Sequence, residues 1–186
     1  MVRFLFIILL AALSAGCASE YKVNKTTQAV EMPLPLPAKP NPVAVEIQQA
    51  LQKQYAEVGV QVMRVGRDIK VMYPSDRLFA VGKADLIPGS ENYLSVLWQN
   101  VRSYEGLTFA VEGLTDNSGN AQANIALSGQ RAETVAQYLI QQGMPAGSVT
   151  AKGFGGAFPM ANNDTPENRV LNRLVVVTIK VPKPQK

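Results

Sequence analysis

From residue 43 onward the apolar positions switch repeatedly between a helical and a strand-like period. Val43, Ile47, Ala50, Leu51, Tyr55 and Val58 return at steps of three and four, which predicts an amphipathic helix over 43–58 that stops at Gly59. The stretch VQVMRVGRDIKVMYPS alternates on both sides of Gly66, so it predicts a hairpin of two strands that ends at Pro74. A turn at Pro88-Gly89 precedes a second helix carrying Tyr93, Leu94, Leu97, Trp98 and Val101. LTFAVEG then reads as a strand. A long helix over 121–142, with Ile125, Leu127, Val135, Tyr138 and Leu139 facing inward, stops at Gly143. SVTAKGF is a short strand. GGAFPMANNDTPENRVLNR is a loop ending in a helical turn, with Thr165 as its cap and Pro166 in first position. LVVVTIKV is nearly continuous and β-branched, the mark of a central strand buried on both faces. Strands alternating with helices predict the α/β class, a two-layer sandwich in which a small mixed β-sheet is packed against helices. There is no internal repeat.

Upstream of residue 43 the pattern changes twice. Residues 1–16 hold one positive charge, Arg3, then ten apolar residues from Phe4 to Leu13, then small residues. Ten is too few to span a bilayer, which takes about 20, and the plan is that of a secretory signal peptide. Residues 17–42 include EMPLPLPAKPNP, with Pro33, Pro35, Pro37, Pro40 and Pro42 among the chain's 12 prolines. Alternating proline favours extended polyproline II at about 3.1 Å per residue, so this segment is expected to act as a stiff tether reaching on the order of 75 Å. The expected organisation is therefore signal peptide (1–16), tether (17–42), helix (43–58) and a folded domain (59–182).

Composition narrows the chemistry mainly by exclusion. A hydrophobic content of 47% supports a real core. The net charge of +4 is spread along the chain, without the clustered basic stripe a nucleic-acid binder needs. With no histidine, the Ser-His-Asp and Cys-His arrangements, histidine-ligated zinc and the usual general base are all excluded. One cysteine, Cys17, allows neither an internal disulfide nor a thiolate metal cluster. GFGGAF at 153–158 matches no phosphate-loop pattern. Ser19-Glu20-Tyr21-Lys22 matches S-x-x-K only formally, because a tether cannot preorganise an oxyanion hole. Glu105 and Glu112 have no spacing that favours glycan cleavage over two solvated charges. The expectation is a binding protein with no enzymatic activity, no metal and no cofactor.

What remains is one ordered constellation. It contains G-L-T-D at 113–116, Gly119, Asn124, Leu127-Ser128 and Arg131-Ala132. It continues with Gly153-x-Gly155, Pro159, Asn162, Thr165, Asn168-Arg169 and Asn172-Arg173. Over residues 69–180 this series resembles the OmpA-like C-terminal domain, the peptidoglycan-associating module of Gram-negative envelopes. Ser14-Ala15-Gly16-Cys17 likewise resembles a bacterial lipobox, although Leu13 lies four positions before the cysteine instead of three. The whole layout is similar to the peptidoglycan-associated lipoproteins. The resemblance implies lipidation at Cys17 and, with no Asp at position 18, sorting to the outer membrane with the domain in the periplasm. It also implies a non-catalytic clamp for the meso-diaminopimelate residue of the stem peptide, whose free end is a zwitterion. Asp116 and Arg131 are the implied ligand pair, Thr115, Asn124 and Leu127 the pocket, and Asn168, Arg169, Asn172 and Arg173 the rim. The chemistry is sound on its own terms: a guanidinium fork takes a carboxylate through two parallel bonds, and an aspartate suits the ammonium. Two positions depart from the pattern, Leu114 where the family has a polar residue before T-D, and Leu174 where it has a second arginine. Part of the polar rim is therefore expected to be lost, and the partner expected besides the wall is an envelope or secretion-system protein.

Overall fold

The computed structural model describes residues 41–183. The predicted signal peptide, Cys17 and nearly all of the predicted tether lie outside the described residues. The strands are β1 (Gln61–Val65), β2 (Asp68–Pro74), β3 (Thr108–Leu114), β4 (Val149–Gly153) and β5 (Leu174–Lys180), in the spatial order β1-β2-β5-β3-β4. β5 is central, as its β-branched run predicts, with six of its seven residues buried. It pairs antiparallel with β2 and β3, whereas β3 and β4 are parallel and joined by a helical crossover. The sheet is mixed and the class is α/β, a small sheet packed against helices, as expected.

α1, α3 and α4 cover one face. α1 (Pro42–Tyr55) buries Ala44, Ile47, Leu51 and Tyr55 in the same core as the sheet. It starts at Pro42 because the Asn41 side chain caps the Val43 N–H, and it ends three residues before the predicted Val58 in a turn closed by Val58 N–H on the Tyr55 carbonyl. α2 (Ser75–Leu78) is one turn, α3 (Glu91–Val101) matches its predicted stripe, and α4 (Ala121–Gln141) is the crossover. α5 (Pro166–Asn172) has the predicted Thr165 cap on the Asn168 N–H.

A size gradient sets how α4 lies. On its helix-facing side β3 presents Phe109, Val111 and Gly113, and their register partners on β4 are Val149, Ala151 and Gly153. Both strands thin to glycine toward one pole, and there α4 approaches so closely that a Cβ on Gly113 would sit 2.0 Å from the Ser128 carbonyl oxygen. That pole carries the candidate site. At the other pole Asn41 Nδ2 donates to the Pro182 carbonyl at 3.1 Å. The described chain therefore begins and ends together, about 20 Å from the site along seven-residue strands.

Candidate functional site

β3 ends at Leu114, and the next residues turn out of the sheet toward α4. Asp116 is only 9% exposed. Its Oδ1 accepts the Ser118 N–H at 2.8 Å, an Asx turn that places the second oxygen toward solvent and Arg173. Oδ2 accepts from Arg173 Nη1 at 2.8 Å. Asn124, one turn into α4, donates from Nδ2 to the Ser118 carbonyl at 2.8 Å and so ties the loop to the helix.

Burial alone would raise the Asp116 pKa. The Arg173 hydrogen bond, the Ser118 bonds and the Arg173 charge outweigh burial and hold it below the ordinary aspartate value. A depressed carboxyl stabilises the fold above its unfolded pKa of about 3.9, and that stabilisation is lost as pH falls through the lower folded value. Denaturant unfolding from pH 8 to pH 2 should therefore show no step from this site above about pH 5, and a loss below pH 4 that Asp116→Asn diminishes. An acid slope identical in the wild type and Asp116→Asn would contradict this assignment.

Arg131 lies two helical turns after Asn124 on the same face of α4 and is 5% exposed. Its guanidinium stacks over the Phe79 ring at 5.2 Å. Nε donates to the Lys83 carbonyl at 2.8 Å and Nη2 to the Ala80 carbonyl at 3.4 Å. Nη1 makes no hydrogen bond within the described residues. Burial and the nearby Arg173 charge lower the Arg131 pKa, but it remains a cation at any physiological pH. Asp116 and Arg131 do not pair with each other. Both line one cavity of about 370 Å³, together with Thr115, Asn124, Leu127, Arg173, Ser75 and Asp76. Six of the nine expected wall-binding residues are thus brought together. In chemical terms the cavity offers two carboxylates, Asp116 and Asp76, and two guanidiniums, Arg131 and Arg173.

Asn168, Arg169 and Asn172 are not in that cavity. Asn172 is 1% exposed and bonds the backbone of Met160 and Ala161 and the side chain of Asn163. Arg169 donates to the Asn163 carbonyl at 2.9 Å, and Asn168 bonds Asn162. These side chains fold the 157–165 loop, and Asn163 Oδ1 passes the support on by accepting the Asn117 N–H beside Asp116. They act on the site at one remove.

A family profile described as OmpA matches residues 78–173, a span containing β3, α4 and every cavity residue named above except Ser75 and Asp76. The chain belongs to the OmpA family. It is 35% identical over 136 residues to the probable lipoprotein YiaD of Escherichia coli, covering 73% of this chain and 62% of that one. It is 35% identical over 96 residues to the peptidoglycan-binding protein ArfA of Mycobacterium tuberculosis, covering 52% of this chain and 29% of that one. Among solved structures it is similar to the cell wall anchor of the T6SS from Pseudomonas aeruginosa. There the TM-score is 0.67 at 26% identity, over 73% of this chain and 97% of that chain. The chain thus spans less than two thirds of the length of these two sequence relatives.

For an OmpA-family chain, Leu114 and Leu174 are the two discordant positions, expected to thin the polar rim. They are direct cross-strand partners on the face of the sheet away from the helices. There they form a small cluster with Met72 and Val176 beneath Phe154, and neither lines the cavity. Hydrophobic periodicity also misses contributors. Ser75, Phe79 and the carbonyls of Ala80 and Lys83 come from an aperiodic segment, and backbone acceptors carry no residue code. Ile125, expected to face inward, is 44% exposed, because the α4 contact stripe runs through Ser128, Arg131, Ala132 and Val135 instead.

Proposed function

We propose that this chain is an envelope anchor whose OmpA-family domain binds peptidoglycan non-covalently. In this reading the ligand is the free end of meso-diaminopimelate in the stem peptide. Its ammonium goes to Asp116 and its carboxylate to the unoccupied Nη1 side of Arg131. The observation that carries the reading is the shared cavity: a carboxylate and a guanidinium, 15 residues apart in sequence, held on separate elements and lining the same space. The similarity to ArfA, a peptidoglycan-binding protein, and to the T6SS cell wall anchor supports the same ligand class. Lipidation at Cys17 would place the chain on the outer membrane, with residues 17–42 as the tether and the domain in the periplasm. The position of Asn41 suits that arrangement, because the described chain starts at the pole opposite the cavity.

The likeness to a secretion-system wall anchor, over 97% of that structure, favours one further reading, in which the same domain anchors an envelope-spanning secretion machine such as a Dot/Icm-type system. Purification of the mature protein in a large detergent-stable complex would support it; purification alone would not.

Sedimentation with purified peptidoglycan tests the ligand. The protein should co-sediment with diaminopimelate-type walls and stay in solution with lysine-type walls, which lack the zwitterionic end. Equal sedimentation with both would overturn the diaminopimelate assignment, and sedimentation with neither would overturn wall binding.

A further inference from the structure

The sheet has a second face, and its makeup does not suit one that meets only water. There Met72, Leu114, Leu174 and Val176 form their small cluster beside an open cavity of about 540 Å³. Six of the eight large apolar side chains exposed among the described residues lie on this side. They are Met63, Val65, Phe158, Met160, Val170 and Leu171, each between 39% and 62% exposed. Single exposed apolar residues are ordinary, but a contiguous group of them marks a contact surface. The charges on this face are uncommitted as well. Lys70 on β2 and Glu112 on β3 both line the cavity, and neither has an ion-pair partner among the described residues.

The register of the sheet decides which second surface those charges fit. Met72, Val176 and Glu112 form one row across β2, β5 and β3, and Lys70, Thr178 and Ala110 form the next. Two such faces can be laid together about a two-fold axis parallel to β5. Lys70 then stands over the partner's Ala110, two residues along β3 from the partner's Glu112, and symmetry repeats the contact. The same axis brings Met63 and Val65 of β1 over the β4 side, against the partner's Phe154 and the partner's Phe158. An axis across the strands sets β2 over β2 instead, and leaves Lys70 two strands away from the partner's Glu112.

We propose that this open face is a homodimer interface, in which two copies pack it together about a two-fold axis parallel to β5. Five strands about 4.8 Å apart and about 20 Å long give a flat footprint on the order of 400 Å². The exposed side chains of α5 and of the loop before it extend that area. The total is at the low end of specific interfaces, so the dimer is weak, with a dissociation constant in the micromolar range. Its symmetry points both clamps to one pole and both Asn41 ends to the other, so two sites face one surface. The inference goes beyond wall binding and does not depend on the ligand.

The test is energy transfer between copies of the full chain, extracted in detergent and carrying donor or acceptor fluorescent tags at the C-terminus. Wild-type transfer should rise with protein concentration through the micromolar range. Lys70→Glu alone or Glu112→Lys alone should raise the dissociation constant roughly tenfold, because the two-fold repeats each lost contact. Mixing Lys70→Glu donors with Glu112→Lys acceptors should restore association, since both contacts then join opposite charges. Met63→Asp should abolish transfer while its circular dichroism matches the wild type, because it sets an unpaired charge against the partner's Phe158. No transfer from the wild type overturns the inference and leaves the face to a lipid surface or to a different protein. Transfer that neither the single swaps nor Met63→Asp lowers comes from another part of the chain and overturns it too. If the single swaps lower transfer and their mixture stays as weak as either, Lys70 does not meet the partner's Glu112, and the two-fold is wrong.

Discussion

Arg131→Ala should abolish retention on diaminopimelate-type peptidoglycan while the domain stays folded. Charge-assisted hydrogen bonds contribute roughly 1.5–3 kcal/mol each, so losing a two-bond fork weakens binding by about 10² to 10⁴. The fold should survive because the two carbonyls that Arg131 now serves belong to exposed residues, Ala80 and Lys83, which water can solvate in its place. Removing a stem stacked on Phe79 should still cost about 1–2 kcal/mol. Arg131→Lys separates charge from geometry: an ammonium keeps the cation but cannot hold the Lys83 carbonyl and a ligand carboxylate in one plane. It should recover little of the binding. Asp116→Ala should match Arg131→Ala in the sedimentation assay, because it removes the other pole. Undiminished sedimentation of both alanine variants, with melting curves intact, would sink the clamp.

How far this site can be read from sequence depends on which residues carry their own signal. The elements around it are legible because each is written in local terms. The hairpin turns at Gly66 with φ of 64°, β5 is a run of β-branched residues, and α5 opens with a capping threonine and Pro166. The cavity's composition is also legible, since Thr115, Asp116, Asn124, Leu127, Arg131 and Arg173 stand in a spaced series. The pairing inside it is not. Asp116 and Arg173 meet across 57 positions, through β5 lying beside β3, and no local pattern encodes which of two arginines an aspartate will take. Asn172 shows the same limit from the other side. A polar residue in a rim-like position is equally the mark of a ligand contact or of a loop tie, and burial decides for the tie.

Gly153→Ala is expected to have the other large effect, although residue 153 touches no ligand. An added Cβ would lie 2.2 Å from Gly129 N and 2.6 Å from both Gly129 Cα and the Ile125 carbonyl oxygen. All three are backbone atoms, so no side chain can rotate away, and α4 must shift along its contact with β3 and β4. Overpacking typically costs about 1–3 kcal/mol where side chains relax, and a rigid helix against a rigid strand should lie at or above the top of that range. For a domain of this size that is a fall of about 10 °C or more in Tm. The shift falls where both strands have thinned to glycine, at the end of α4 that carries Asn124, Leu127 and Arg131. Wall retention should therefore fail even at temperatures where Gly153→Ala remains folded. Gly147→Ala is the control, because beyond its own local chain nothing lies within 4 Å of the position its methyl group would take, and its φ is not left-handed. It should melt within a degree or two of the wild type and sediment normally. If Gly153→Ala melts like Gly147→Ala, the close approach of α4 is not what positions the clamp, and the size gradient along β3 and β4 has some other cause.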